Sequence, residues 1–164
     1  NEISWFDWNL KDSDRRLLTF VQRLIQLRRD QPVLRRRQFF QGRRIRGSEI
    51  KDIAWFRPDG HEKTDEDWQN EYARSLGVRL AGDAIHEKDY KGRPIHGDTL
   101  LLLFNAHHEP LPFVLPAHHR GVRWEILLDT SDPEGPEDHK QLRGGEPFDL
   151  KARSIAVLRL HRTR

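Results

Sequence analysis

Nine histidines offer the first chemistry to weigh. His107-His108 and His118-His119 are adjacent pairs at expected strand ends, and imidazole nitrogens bind transition metals well. Neighbours along a strand point to opposite faces, so neither pair converges readily on one ion. No HExxH or HxH spacing supplies a better geometry. The expectation is exposed loop histidines, with no metal and no cofactor. Carboxylates gather at Asp65-Glu66-Asp67 and at Glu134, Glu137 and Asp138. Two carboxyl groups about 5–5.5 Å apart can cleave a glycoside with retention. These, however, sit in polar loops with no apolar neighbours to raise a pKa. They read as solvated charge, or as helix-start capping by residues 65–67 ahead of Trp68. Ser4, Ser48 and Ser154 lie outside any G-x-S-x-G elbow, and "RGGEPF" lacks the Lys-Ser/Thr of a phosphate loop. No residue is assigned a catalytic role.

The aromatics are more promising. Tryptophan rings stack on sugar faces, and they also fill cores and interfaces. Trp124 alternates with aliphatic residues and reads as core. Trp5, Trp8 and Trp68 fall in irregular segments, where interface packing and sugar contact are both open. Residues 35–46 interleave arginines with Phe39 and Phe40, a pattern that can mimic a nucleic-acid patch. The 29 basic residues face 26 acidic ones, so the net charge of +3 gives little pull on a polyanion. A solvated surface, or arginines packed across a domain junction, serves equally well.

Elements must hold these groups in place. In the 164 residues, apolar ones make up 35% and charged ones 34%, yet dense runs such as "TLLLLFNA" can still build a core. Cysteine is absent, which removes disulfides, Cys-ligated zinc and thiol catalysis, and fits cytoplasm. The longest apolar run is far short of the roughly twenty residues that span a bilayer, so no membrane partner is expected. Leu17, Phe20, Val21, Leu24, Ile25 and Leu27 recur at helical spacing after Asp12 and Ser13, and Pro32 ends the helix. Its apolar stripe requires a partner surface.

Beyond that helix the period drops to two. Strands are expected over 50–56, 78–81, 99–106, 111–115, 122–128 and 154–161. Residues 100–104 read as a central strand, and the prolines of "EPLPFVLP" place that segment at an edge. Trp68 and Tyr72 are expected to pin the polar connection 58–77 to a surface. The class is mainly β, an antiparallel β-sandwich behind a helical lead-in. The opening "NEISWFDWNL" has no Met and unusual aromatic density, so the sequence reads as the interior of a larger protein.

That opening, with "RRLLTFVQRLIQLRRDQPVLRRRQFFQGR", "IKDIAWFRPDGHEKTDEDW" and "ARSLGVRLAGDAI", resembles bacterial glycogen debranching enzymes of the isoamylase type, in the α-amylase superfamily. The resemblance continues through "DTLLLLFNAHHEPLPFVLP", "RWEILLDTSDP" and "ARSIAVLRL", and so covers essentially the whole chain. It implies that residues 1–45 are the terminal loop and last helix of a (β/α)8 catalytic barrel, and 46–164 a C-terminal β-sandwich. The parent would hydrolyse α-1,6 branch linkages of glycogen or limit dextrin by retaining double displacement. The family's catalytic carboxylates lie on earlier barrel strands, and their motifs do not occur here. Asn1 and Trp5 continue a loop that borders the substrate cleft in relatives. With Trp68 they are the substrate-binding candidates. Partners implied are branched α-glucan through the parent and the missing barrel, with self-association of this piece. A glucan-binding module and a basic nucleic-acid-binding module are the alternatives.

Overall fold

The computed structural model describes residues 2–44, 50–117, 121–132, 135 and 141–161. Asn1, Arg46, Ser48, His118, His119, Glu134, Glu137 and Asp138 lie outside them.

Helix α1 spans Asp12–Asp30. Lys11, not Asp12 or Ser13, precedes it, and the Asp14 carboxylate accepts the Lys11 backbone N–H at 3.2 Å. Asp12 and Asp14 at the start and Arg28 and Arg29 at the end complement the helix dipole. The Gln31 N–H donates to Leu27 O, and Pro32 turns the chain into a short 3₁₀ turn, Pro32–Arg35. No residue of α1 is buried.

Eight strands follow: β1 Ile53–Phe56, β2 Ser75–Leu80, β3 Leu100–Asn105, β4 Leu111–Val114, β5 Arg123–Asp129, β6 Gln141–Arg143, β7 Pro147–Leu150 and β8 Ser154–His161. A single helical turn, α2 (Asp65–Trp68), interrupts the connection from β1 to β2. Six strands form one sheet in the order β1-β2-β3-β8-β5-β6, while β4 and β7 pair separately. All pairings are antiparallel. The fold is therefore mainly β, a sandwich with unequal layers. β3 lies inside the large sheet, and the proline-bearing β4 has β7 as its strand partner.

Alternation along β3 divides its side chains between two cores. Leu101 and Leu103 meet Phe113, Leu115 and Leu150 in the space under the small sheet, around Trp124. Trp124 is fully buried, and its indole N–H donates to Pro116 O at 3.0 Å. On the opposite face Leu100 packs with Val78, Leu80, Ile85 and Val33. Val33 comes from the 3₁₀ turn, with Leu34 and Phe40 packed nearby, so the stretch after α1 is seated on the sheet. A register shift between Ile126 and Leu128 breaks the strict alternation expected for β5. It sends Leu127 to the second core.

Polar ties reinforce the seat. Buried Asp52 accepts the N–H groups of Gln41, Gly42 and Ile53 at 2.9 Å each and pairs with Arg36 at 3.5 Å. Arg36 also lies 4.2 Å from the Phe40 ring centroid. Arg37 binds Glu87 at 2.9 Å, and Arg35 donates to Arg29 O. The arginines of 35–37 are thus taken up by partners within the chain rather than arrayed as one stripe.

Candidate functional site

The connection from β1 to β2 shapes a groove. Thr64 caps α2: the Asp67 carboxylate accepts the Thr64 N–H at 2.8 Å and its hydroxyl at 3.2 Å. This is the capping expected of residues 65–67. The cap orients Trp68, whose ring meets Trp55 edge-on at 5.5 Å and carries the Lys63 ammonium 4.5 Å from its centroid. Trp68 stays 49% exposed and borders a cavity of about 360 Å³ with Asn70, Arg74 and Phe104. Trp68 therefore pins the connection, as expected. Tyr72 does not: it is 83% exposed, with its N–H held by the Asn70 side chain at 3.0 Å.

A second cavity, about 440 Å³, adjoins the first by sharing Arg74 and Ala106, and Tyr72, His107, His108 and Arg153 complete it. His107 and His108 fall beyond the end of β3, so strand alternation does not separate them. Their rings lie 4.2 Å apart at 32°. A ligand atom from each, with one from Glu109, all fall within 4.8 Å of one another. Among the described residues it is the only group of three or more His, Cys, Asp or Glu side chains close enough to share an ion, and it holds a single carboxylate. The sequence pointed to "LFNAHHEP" but not to Arg74 or Arg153. Strand pairing alone brings those together.

A third cavity, about 710 Å³ and mostly apolar, lies between the N-terminal segment and α1, where Phe6 and Trp8 face Leu17, Leu18 and Val21. Trp5 is 72% exposed and is not in the wall of the Trp68 cavity. Trp5 and Trp68 are thus not gathered at one cavity, and Asn1 lies outside the described residues.

Asp59, Glu66, Asp67, Glu87 and Asp89 are each held below the ordinary carboxylate pKa. Arg57, donating to Asp59 at 2.6 Å, brings Asp59 down to about 2. Helix-cap hydrogen bonds lower Asp67, and bonds from Thr64 lower Glu66. Arg37 lowers Glu87, and the Arg93 backbone and side chain lower Asp89. A general acid for glycoside cleavage needs the opposite shift.

Fold and site together define an antiparallel β-sandwich domain with a solvent-facing aromatic groove. A family profile described as "Isoamylase, C-terminal" matches residues 52–159, and the chain belongs to this family. The glycogen operon protein GlgX homolog of Mycobacterium tuberculosis is 42% identical over 160 residues, 97% of this chain and 22% of that protein. An isoamylase of Flavobacterium sp is 24% identical over 163 residues, covering 94% of this chain and 20% of the relative. The isoamylase of Pseudomonas amyloderamosa is 22% identical over 132 residues, 80% of this chain and 15% of its own length. The chain spans about a fifth of the length of these curated relatives.

In the described residues, no helix is long and apolar enough to cross a membrane.

Proposed function

We propose that this chain is the C-terminal part of a cytoplasmic glycogen debranching enzyme that hydrolyses α-1,6-glucosidic branches, and that it supports the reaction without performing it. Residues 1–45 then close the catalytic barrel and 46–164 form the C-terminal domain. One observation carries the reading. Leu17, Leu18, Val21, Leu24 and Ile25 form a stripe along α1 that stays open, with Leu17 62% and Ile25 55% exposed. Burying an aliphatic side chain contributes about 1.5–3 kcal/mol, so five in a row favour a packed partner. The barrel supplies that partner in the whole enzyme. Without it, the chain self-associates through the same stripe. Asn1 and Trp5 then lie on the loop beside the substrate cleft.

The test is hydrolytic. The purified chain releases no reducing ends from limit dextrin, and turnover that follows the chain through purification refutes the reading.

A second role is favoured by the half-exposed, buttressed Trp68. Its ring offers a fixed flat face to a glucan chain, with Asn70 and Arg74 as hydrogen-bond donors beside it.

A further inference from the structure

The cavity at the open end of β2, β3 and β8 has a composition the glucan reading does not explain. Register puts Ser75 opposite Asn105 and Asn105 opposite Ser154. The residues just beyond, Arg74, Ala106-His107 and Arg153, therefore meet at one sheet end. Two backbone bonds lock them: Ala106 N to Arg74 O at 2.8 Å and Arg153 N to His107 O at 3.0 Å. Buried Asn105 clamps the same loops. Its amide donates to Glu109 O and Lys151 O at 2.9 Å each, and its carbonyl accepts the His107 N–H at 2.9 Å.

The wall holds two arginines, two histidines and a tyrosine, and no carboxylate. Arg36, Arg37, Arg57 and Arg159 each have an acidic partner. Among the described residues, the guanidinium groups of Arg74 and Arg153 have none. Arg153 moreover holds φ at 48°, a left-handed conformation that disfavours a side chain. The Glu109 carboxylate lies 4.0 Å from His107 Nδ1 and 3.9 Å from His108 Nε2. Arg74 and Arg153 are both exposed, and their two positive charges on the wall disfavour a metal cation at these histidines and draw in an anion. Guanidinium forks match phosphate oxygens in pairs, and imidazole and phenol add donors. The volume suits a small ligand.

We propose that this cavity binds a phosphomonoester dianion, free or carried on a sugar that lies against Tyr72. The site stands independently of the debranching reading. It is tested by following the amide resonances of Ala106, His107 and Arg153 in the full chain during separate titrations with inorganic phosphate, glucose 1-phosphate, glucose and zinc chloride. Saturable shifts with both phosphates and none with glucose are expected. Equal affinity for the two identifies free phosphate as the ligand, and tighter glucose 1-phosphate binding identifies the sugar-borne form. Arg153→Gly relieves the left-handed backbone and so keeps the fold. It weakens phosphate binding about tenfold, or ~1.4 kcal/mol. Arg74→Gln does the same from the other wall. The proposal is overturned if phosphate fails to saturate, if neither variant weakens it, or if zinc shifts these residues while phosphate does not.

Discussion

The Gln31 side chain donates to Asp98 at 3.0 Å, joining the end of α1 to the segment ahead of β3, sixty-seven residues away. Arg159 reaches the same Asp98 oxygen at 3.4 Å while holding buried Glu125 at 2.7 Å. The helix is thus anchored at its C-terminal end and open along its length. Asp98→Ala leaves the buried Gln31 amide unpaired and should cost about 1 kcal/mol. Urea unfolding measures the loss, and amide exchange should quicken around Gln31. Unchanged exchange there contradicts the anchor.

Asn105→Leu places an apolar side chain among polar groups that Asn105 now satisfies. The expected cost is about 2–3 kcal/mol, larger than for an ordinary surface change. The same variant should weaken phosphate binding at Arg74 and Arg153 by loosening the loops, even under conditions where the chain remains folded. A neutral result in urea denaturation contradicts the clamp.

Two glycines should respond differently to alanine. At Gly82 a Cβ would stand 2.2 Å from Gly97 O and 2.3 Å from Asp98 O, and both obstacles are backbone. The expected loss is about 3 kcal/mol. At Gly92, with φ +77 and open space around, conformational strain alone should cost about 1 kcal/mol. Equal midpoints in thermal melts of the two variants contradict the close approach.

Acid should erase the contribution of the Arg57 cluster. Asp59 is depressed to about 2, so its pairing contributes fully above the unfolded carboxylate value near 4 and fades as pH falls through about 2. Asp67 is shifted the same way. Arg57→Ala should therefore destabilise the chain at neutral pH, with the difference from the parent shrinking below pH ~4. A gap that widens on acidification gives the wrong sign.

Glycogen in a native gel should retard the chain, and Trp68→Ala should restore free mobility. Trp5→Ala should leave retardation largely intact, since Trp5 does not share the Trp68 cavity. Unaltered mobility of the parent in glycogen removes the groove as a glucan site.

Much of the fold was readable because the signals were periodic. Leu17 to Leu27 announced a helix, the apolar run of β3 announced an inner strand, and β8 was legible as a strand. β6 has only three residues, and β7 begins at a proline, so neither carries a pattern long enough to stand out. The Leu127 shift depends on a bulge that no periodicity encodes. Trp68 was legible as an irregularly placed aromatic. Arg74 and Arg153 were not, because seventy-nine positions of sequence separate two residues that strand register places on either side of β3 at one cavity.

The central claim is that α1 offers its stripe to a catalytic domain that needs it. The direct measurement is reducing-end release from limit dextrin by the separately produced upstream portion of the enzyme, with and without this chain. Activity should require both pieces together and be lost when the chain carries Leu17→Glu and Ile25→Glu. Full activity of the upstream portion alone, or rescue undiminished by the charged stripe, would contradict the account.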